Sequence, residues 1–169
     1  MDFFYNTPRG SRKRMADRPK PDRLRLRAED DEDLTVISAC LQDAVVAVGD
    51  IAYLPAERRL AMVINRFCWE CGPGPENQRV LAGLCLENVR GVQTQGIDRT
   101  RREHLMELLA IRALPGDAGA APGGCTVELR FSDGQALRVS ADRLALRLED
   151  LNEPYPTPWR PQHKLDETP

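Results

Sequence analysis

The sequence predicts an α+β fold: a mainly antiparallel, strongly curled sheet or partial barrel of seven to eight strands, with one helix. Three observations point there. One segment near the N-terminus has helical periodicity and an acidic, capped start. Most of the chain beyond it is a series of short apolar or alternating stretches divided by turn residues. One hairpin can be registered residue by residue. So many short strands expose many edges, and curling toward closure removes them.

The chain has 169 residues, which fits one domain over residues 23–152 between a basic extension at 1–22 and a Pro-rich tail at 153–169. With 41% hydrophobic and 30% charged residues it reads as an ordinary soluble chain. Its apolar runs are far shorter than the ~20 residues needed to cross a bilayer. The start, "MDFFYNTPRGSRKR", lacks the apolar core of a signal peptide, so a cytoplasmic protein with no membrane partner is expected. Five scattered cysteines, an odd number, do not make a disulfide framework and are expected reduced. Charge is asymmetric. Residues 1–27 hold nine Lys or Arg against three acids, a net +6, and the rest holds fifteen bases against twenty-three acids, a net −8. An acidic body gives a duplex little surface to lie on, so nucleic acid is not the expected partner.

Residues 1–22, polar and rich in Arg and Pro, are expected to be disordered. "RLRLRAED" alternates as a short strand with Leu24 and Leu26 inward. In "DDEDLTVISACLQDAV", Leu34, Ile37, Leu41, Ala44 and Val45 recur at helical spacing, and Asp30 or Asp31 caps the start. "VVAVGDIAYL" and "RLAMVINRFCW" read as strands either side of the turn "PAER". "GPGPEN" then breaks the chain. "RVLAGLCLENVRGV" alternates with Val80, Ala82, Leu84 and Leu86 on one face and Cys85 on the other. "PGDAGAAPGG" is a surface loop.

Parity fixes the hairpin "CTVELRF–SDG–QALRV". A two-residue Asp133-Gly134 loop would set Leu137 against Arg130. A three-residue loop, Ser132-Asp133-Gly134, pairs Leu129 with Leu137 and Val127 with Val139, with Gly134 in the left-handed conformation. Two segments stay open on pattern alone. "RTRREHLMELLAIRAL" has a capping-box spacing from Thr100 to Glu103 and strong helix formers, while "ADRLALRLEDL" fits both periods. The tail "EPYPTPWRPQHKLDETP", with five prolines, is expected to stay out of regular elements. Tyr155 and Trp159 are expected to lie along the domain, Trp159 folding back over the sheet.

Together, "LQDAVV", "NRFCWE", "LLAIRA", "VELRFSDG", "LALRLEDL" and "PYPTPWRPQH" resemble an uncharacterised alphaproteobacterial domain-of-unknown-function family, from about Leu24 to His163. The resemblance implies that both open segments are strands, and that the gene often lies beside the one for histidinol dehydrogenase. These are packing and turn motifs, and they name no chemistry.

The cysteine pair in "NRFCWECGPGPENQR" is the strongest chemical motif. Cys68 and Cys71 have the spacing of one zinc knuckle, but a second pair is missing among Cys40, Cys85, Cys125, His104 and His163. A thioredoxin-like role needs the first thiol at a helix N-terminus, whereas this pair ends a strand and runs into Gly-Pro-Gly. The expectation is two plain thiols at a strand end. His104 beside Arg101 and Arg102 has no Ser or Cys near it in sequence, and Glu149 and Asp150 would face opposite sides of a strand. No phosphate-cradling glycine motif is present. The expected function is thus a non-enzymatic binding or adaptor module, with no cofactor, acting on a protein partner or on itself. Its expected interaction residues are Trp69, Tyr155, Trp159 and Arg160. Two alternatives stay open: a nucleic-acid or anion binder using Arg99, Arg101, Arg102 and the basic arm, and a metal-binding protein using Cys68 and Cys71.

Overall fold

Asp30 opens the one α-helix among the described residues. Its carboxylate accepts the Asp33 N–H at 2.9 Å, and Asp31, Glu32 and Asp33 fill the first turn, where the helix dipole favours negative charge. The helix, α1, spans Asp31–Cys40 and buries Leu34 and Ile37. It ends earlier than the periodicity implies. Asp43 takes a left-handed φ of 61°, and Ala44 and Val45 belong to the next strand. The structure, a computed structural model, describes residues 22–71, 76–115 and 122–161. The arm at 1–21, the break at 72–75, the loop at 116–121 and the tail beyond 161, with His163, lie outside them.

The described strands are β1 (Arg25–Ala28), β2 (Ala44–Ala47), β3 (Ile51–Leu54), β4 (Arg59–Phe67), β5 (Asn77–Leu86), β6 (Val89–Gln95), β7 (Leu105–Leu114), β8 (Cys125–Phe131), β9 (Ala136–Ala141), β10 (Leu146–Asp150) and β11 (Tyr155–Thr157). They form one antiparallel sheet in the order β1-β10-β5-β4-β2-β7-β8-β9-β6, with β3 added to β4 and β11 added to β5. The expectation of seven to eight strongly curled strands is therefore corrected: among the described residues the sheet has eleven and is neither closed nor strongly curled. Part of the inner face is buried without closure, because α1 packs on it against β1 and β7.

Three local events supply the extra strands. A 3-10 turn at Val48–Asp50 separates β2 from β3, and Gly49 sits in it with its N–H 2.8 Å from the Arg102 carbonyl. A Cβ there would lie 3.0 Å from that oxygen, tighter than ordinary contact, so the close approach favours glycine. Asn88, at φ 57°, divides β5 from β6, and the two strands leave for different neighbours. The third is β11. Despite its proline it pairs with β5, Pro156 opposite Gln78, because an outer strand bonded on one side tolerates a missing donor. The expectation that the tail avoids regular structure is corrected at these three residues.

Both open segments are strands. Residues 105–114 pair with β2 and β8, and Asp98, not a helix, takes the N–H and hydroxyl of Thr100, at 3.0 and 2.6 Å. Leu146, Leu148 and Asp150 of β10 alternate inward. The β8–β9 hairpin has the derived register, Leu129 opposite Leu137 and Val127 opposite Val139. Its loop differs in one respect: Asp133 (φ 58°) joins Gly134 (φ 71°) in the left-handed region. Val80, Ala82, Leu84 and Leu86 point into the core with Ile64, Met106, Leu129 and Leu148, and Leu24 and Leu26 pack half-buried against it.

Candidate functional site

Strand β4 sends Leu60, Met62 and Ile64 inward, and the next inward position is Arg66, which is 0% exposed. A buried guanidinium is tolerable only when its donors are paired. Asp150, the last inward residue of β10, supplies a two-pronged partner: Nε donates to Oδ1 and Nη2 to Oδ2, both at 2.8 Å. Glu70 takes a second fork, from Nη1 at 3.0 Å and from Nη2, and Nη1 also reaches the Phe67 carbonyl at 3.4 Å. Asp150 Oδ2 accepts the Leu24 N–H at 3.0 Å as well, which ties β1 to the cluster. Burial pulls the Arg66 pKa down, but the hydrogen bonds of Asp150 and Glu70 outweigh it and hold the group above its ordinary value. Arg66 is permanently charged.

Glu70 is in place because of the turn that carries it. After β4 the chain makes a 3-10 turn at Trp69–Cys71, which returns Cys71 to within 5.4 Å of Cys68 between Cα atoms, and the two sulfurs are bonded. The expectation of five reduced thiols, with Cys68 and Cys71 as plain strand-end residues, is corrected to one disulfide and three free cysteines among the described residues. Burial pushes the free thiols of Cys40, Cys85 and Cys125 up. Within the closed turn Glu70 faces Arg66, while the Trp69 ring lies 4.6 Å from that of Phe67.

Phe67 belongs to the opposite, outer face of the sheet. Residues paired across an antiparallel ladder point to the same side. Phe67, Arg79 and Tyr155 therefore form one outer row across β4, β5 and β11. Val45, Asn65 and Leu81 form the next, and Val63 and Gly83 another. Asn65 Nδ2 donates to the Tyr155 hydroxyl at 2.7 Å, and Arg79 Nη1 reaches the Asn65 carbonyl at 3.0 Å. No described element covers the middle of this face: Leu105 is 63% exposed, Leu151 49%, Val63 40% and Leu81 37%. Leu151 lies over Gly83, where a Cβ would sit 3.6 Å from its Cδ2, at the edge of a shallow trough of about 530 Å³ lined by Ala52, Ala61, Val63 and Cys85. Arg147 and Glu149 of β10 border it.

Of the expected interaction residues, the structure brings Trp69 and Tyr155 to one end of this face. Trp159 does not fold back as expected. It is 77% exposed, its N–H 3.4 Å from Thr157 Oγ1, and Arg160 beside it is exposed. Phe67 and Trp69 already pack on each other at that end, and the short β11 carries the chain past it. Arg99, Arg101 and Arg102 lie in one exposed loop, together with Asp98 and Glu103. Arg102 is engaged, donating to the Gly49 carbonyl at 3.2 Å, and with Arg99 it edges a pocket of about 240 Å³ lined by Val48, Ile51, Val92 and Ile97. The basic arm lies outside the described residues. Among those residues no group of three or more His, Cys, Asp and Glu could hold a metal ion, and no helix is long and apolar enough to cross a membrane.

Residues 24–163 match the family model described as protein of unknown function (DUF2948). The chain belongs to the DUF2948 family. No curated protein and no solved structure matches it. Two clusters in this DUF2948 chain are absent from the expectations its sequence raised. One is the Arg66 site, whose signal was present: an Arg and an Asp each standing at an inward parity position, in "LAMVINRF" and "LRLED". The other is Glu128 on β8, nearly fully buried under Arg112 and Arg138 from the flanking strands, at 2.8 and 3.0 Å, with Arg130 at 3.9 Å. Burial raises its pKa, but the hydrogen bonds and charges of Arg138 and Arg112 prevail and hold it below the ordinary carboxylate range.

Proposed function

We propose that this protein is a non-enzymatic, cytoplasmic binding module that docks through the outer face of β10, β5, β4, β2 and the start of β7, and that the occupant of the face is a second copy of the chain. The observation that carries this is the exposure of Leu105, Val63, Leu81 and Leu151 on neighbouring strands of one sheet face with no described element over it, Trp69 standing against Phe67 at its end. Contiguous exposed apolar surface rimmed by charge is costly to leave in water and marks association sites. Charge selects the occupant. The face carries acids and bases side by side, Glu107 and Glu149 with Arg147, so two copies related by a two-fold axis can set opposite charges against each other. A strongly basic or acidic partner would meet no matching field.

Sedimentation velocity over a wide concentration range tests this. A reversible dimer is expected, abolished by Leu81→Lys or Leu105→Lys. A protein that stays monomeric at the highest concentration overturns the self-association reading.

The anion-binding alternative is supported by less, since the Arg99–Arg102 loop also carries Asp98 and Glu103. Salt-dependent retention on an RNA or heparin column, lost in Arg99→Gln/Arg101→Gln, would favour it instead.

A further inference from the structure

We propose that Cys68 and Cys71 form a reversible dithiol–disulfide site whose substrates are low-molecular-weight thiols and disulfides of the glutathione class. This does not rest on the docking proposal; it concerns the turn alone.

The bond closes a sequence separation of only three residues. Loops that short gain least from cross-linking, since little chain entropy is removed from the unfolded state. The fold is held instead by the sheet and the core, so the bond can open without the domain opening. The two sulfurs are also unequal in a way that suits exchange. Cys68 is 5% exposed and directly follows β4, its N–H bonded to the Gln78 carbonyl of β5 at 2.9 Å, whereas Cys71 is half-buried at the turn's end and reachable from solvent. An external thiolate attacks Cys71 Sγ and forms a mixed disulfide there. The Cys68–Cys71 bond breaks, its electron pair stays on Cys68 as thiolate, and that thiolate takes a proton from water. A second external thiolate attacks the external sulfur of the mixed disulfide, releasing Cys71 as thiolate and the two external thiols as one disulfide. Two electrons pass to the protein, and the reverse sequence oxidises it. The other three cysteines do not compete. They are partly buried, and their raised pKa values leave little thiolate at neutral pH.

The site reports to its surroundings through the two residues it encloses. Reduction loosens the constraint on Glu70, one of the two carboxylates on Arg66, and on Trp69, which packs on Phe67.

The test is equilibration of the folded protein in buffers of graded reduced to oxidised glutathione, acid quenching, alkylation and mass spectrometry of the peptides. Cys68 and Cys71 are expected to convert together in one two-electron transition, reversibly, with Cys40, Cys85 and Cys125 alkylated throughout. In a Trp159→Phe background, Trp69 fluorescence should track the same transition. Cys68→Ser should accumulate the mixed disulfide at Cys71, and Cys71→Ser should not accumulate one at Cys68. Two results overturn the proposal: both thiols staying free in the most oxidising buffer, or a bond that resists reduction until the protein unfolds.

Discussion

Replacing Asp150 by Asn changes one charge and almost no shape, and should be among the most damaging single substitutions in the molecule. In the native protein Asp150 takes two bonds of 2.8 Å from a guanidinium that has no contact with water. The amide keeps one acceptor oxygen and turns an N–H₂ toward the guanidinium's own donors, so at least one bond is lost and a donor is set against donors. A hydrogen bond to a charged group contributes about 1.5–3 kcal/mol, and stranding a buried charge costs about 3–5 kcal/mol in all. Glu70 cannot take over: its side chain is 42% exposed, and it already holds the other edge of Arg66. The expected loss is thus about 3–4 kcal/mol, a large part of a total stability of roughly 5–15 kcal/mol. Urea titration followed by circular dichroism should show the midpoint falling with an unchanged slope. Arg147→Gln is the comparator, since it breaks an exposed pair with Glu87 and should cost no more than about 1 kcal/mol. A double variant, Arg66→Met/Asp150→Leu, should be less damaged than Asp150→Asn, because it removes the charge along with its partner. A loss below about 1 kcal/mol for Asp150→Asn would mean instead that Glu70 alone suffices to hold the Arg66 charge in the core.

Other substitutions probe other parts of the molecule. Glu128 has its pKa depressed, so it contributes stability that is present above the unfolded value of about 4.3 and lost as pH falls through the folded value; Glu128→Gln should flatten the acid limb of the stability–pH curve in that window. In the β8–β9 loop, Asp133 and Gly134 both have positive φ; Gly134→Ala should cost roughly 1 kcal/mol and Asp133→Gly should be neutral or slightly stabilising, read from urea midpoints. Tyr155→Phe removes the acceptor of Asn65 Nδ2 and should cost about 1 kcal/mol. Leu105→Lys, at a 63% exposed position, should leave the thermal midpoint nearly unchanged while abolishing self-association.

How much of the fold is legible in the sequence depends on the range of the interactions that decide each element. The β8–β9 register rests on parity and one turn, both local, and it can be worked out to the residue pair. The Asp30 cap is likewise a contact over three residues. Strand β7 is the contrary case. Its residues are helix formers behind a capping-box spacing, yet Leu105–Leu114 is a strand because β2 and β8 bond its two edges and because Met106, Leu108 and Ile111 are wanted on the inner face. Propensity differences of a few tenths of a kcal/mol per residue cannot resist two ladders and a buried face. The same logic explains the strand count. Gly49 and Asn88 are visible as residues, but that they end strands depends on the Arg102 carbonyl and on the separate partners of β5 and β6, all remote in sequence.

The candidate site shows why a parity violation is more informative than a motif. The Cys-x-x-Cys spacing points to metal or redox chemistry, but spacing alone does not say whether the sulfurs meet; the 3-10 turn at Trp69–Cys71 brings them together and sets Glu70 against Arg66. Arg66, by contrast, stands in plain view as a charge on an apolar stripe. Such a residue must either break the strand or find a carboxylate, and Asp150 is an acid at an inward parity position on a strand two places away in the sheet order. Pairing the two would place β10 and β4 within one residue's reach on either side of β5, which is the order observed. A buried charge is thus a long-range constraint written into a local pattern.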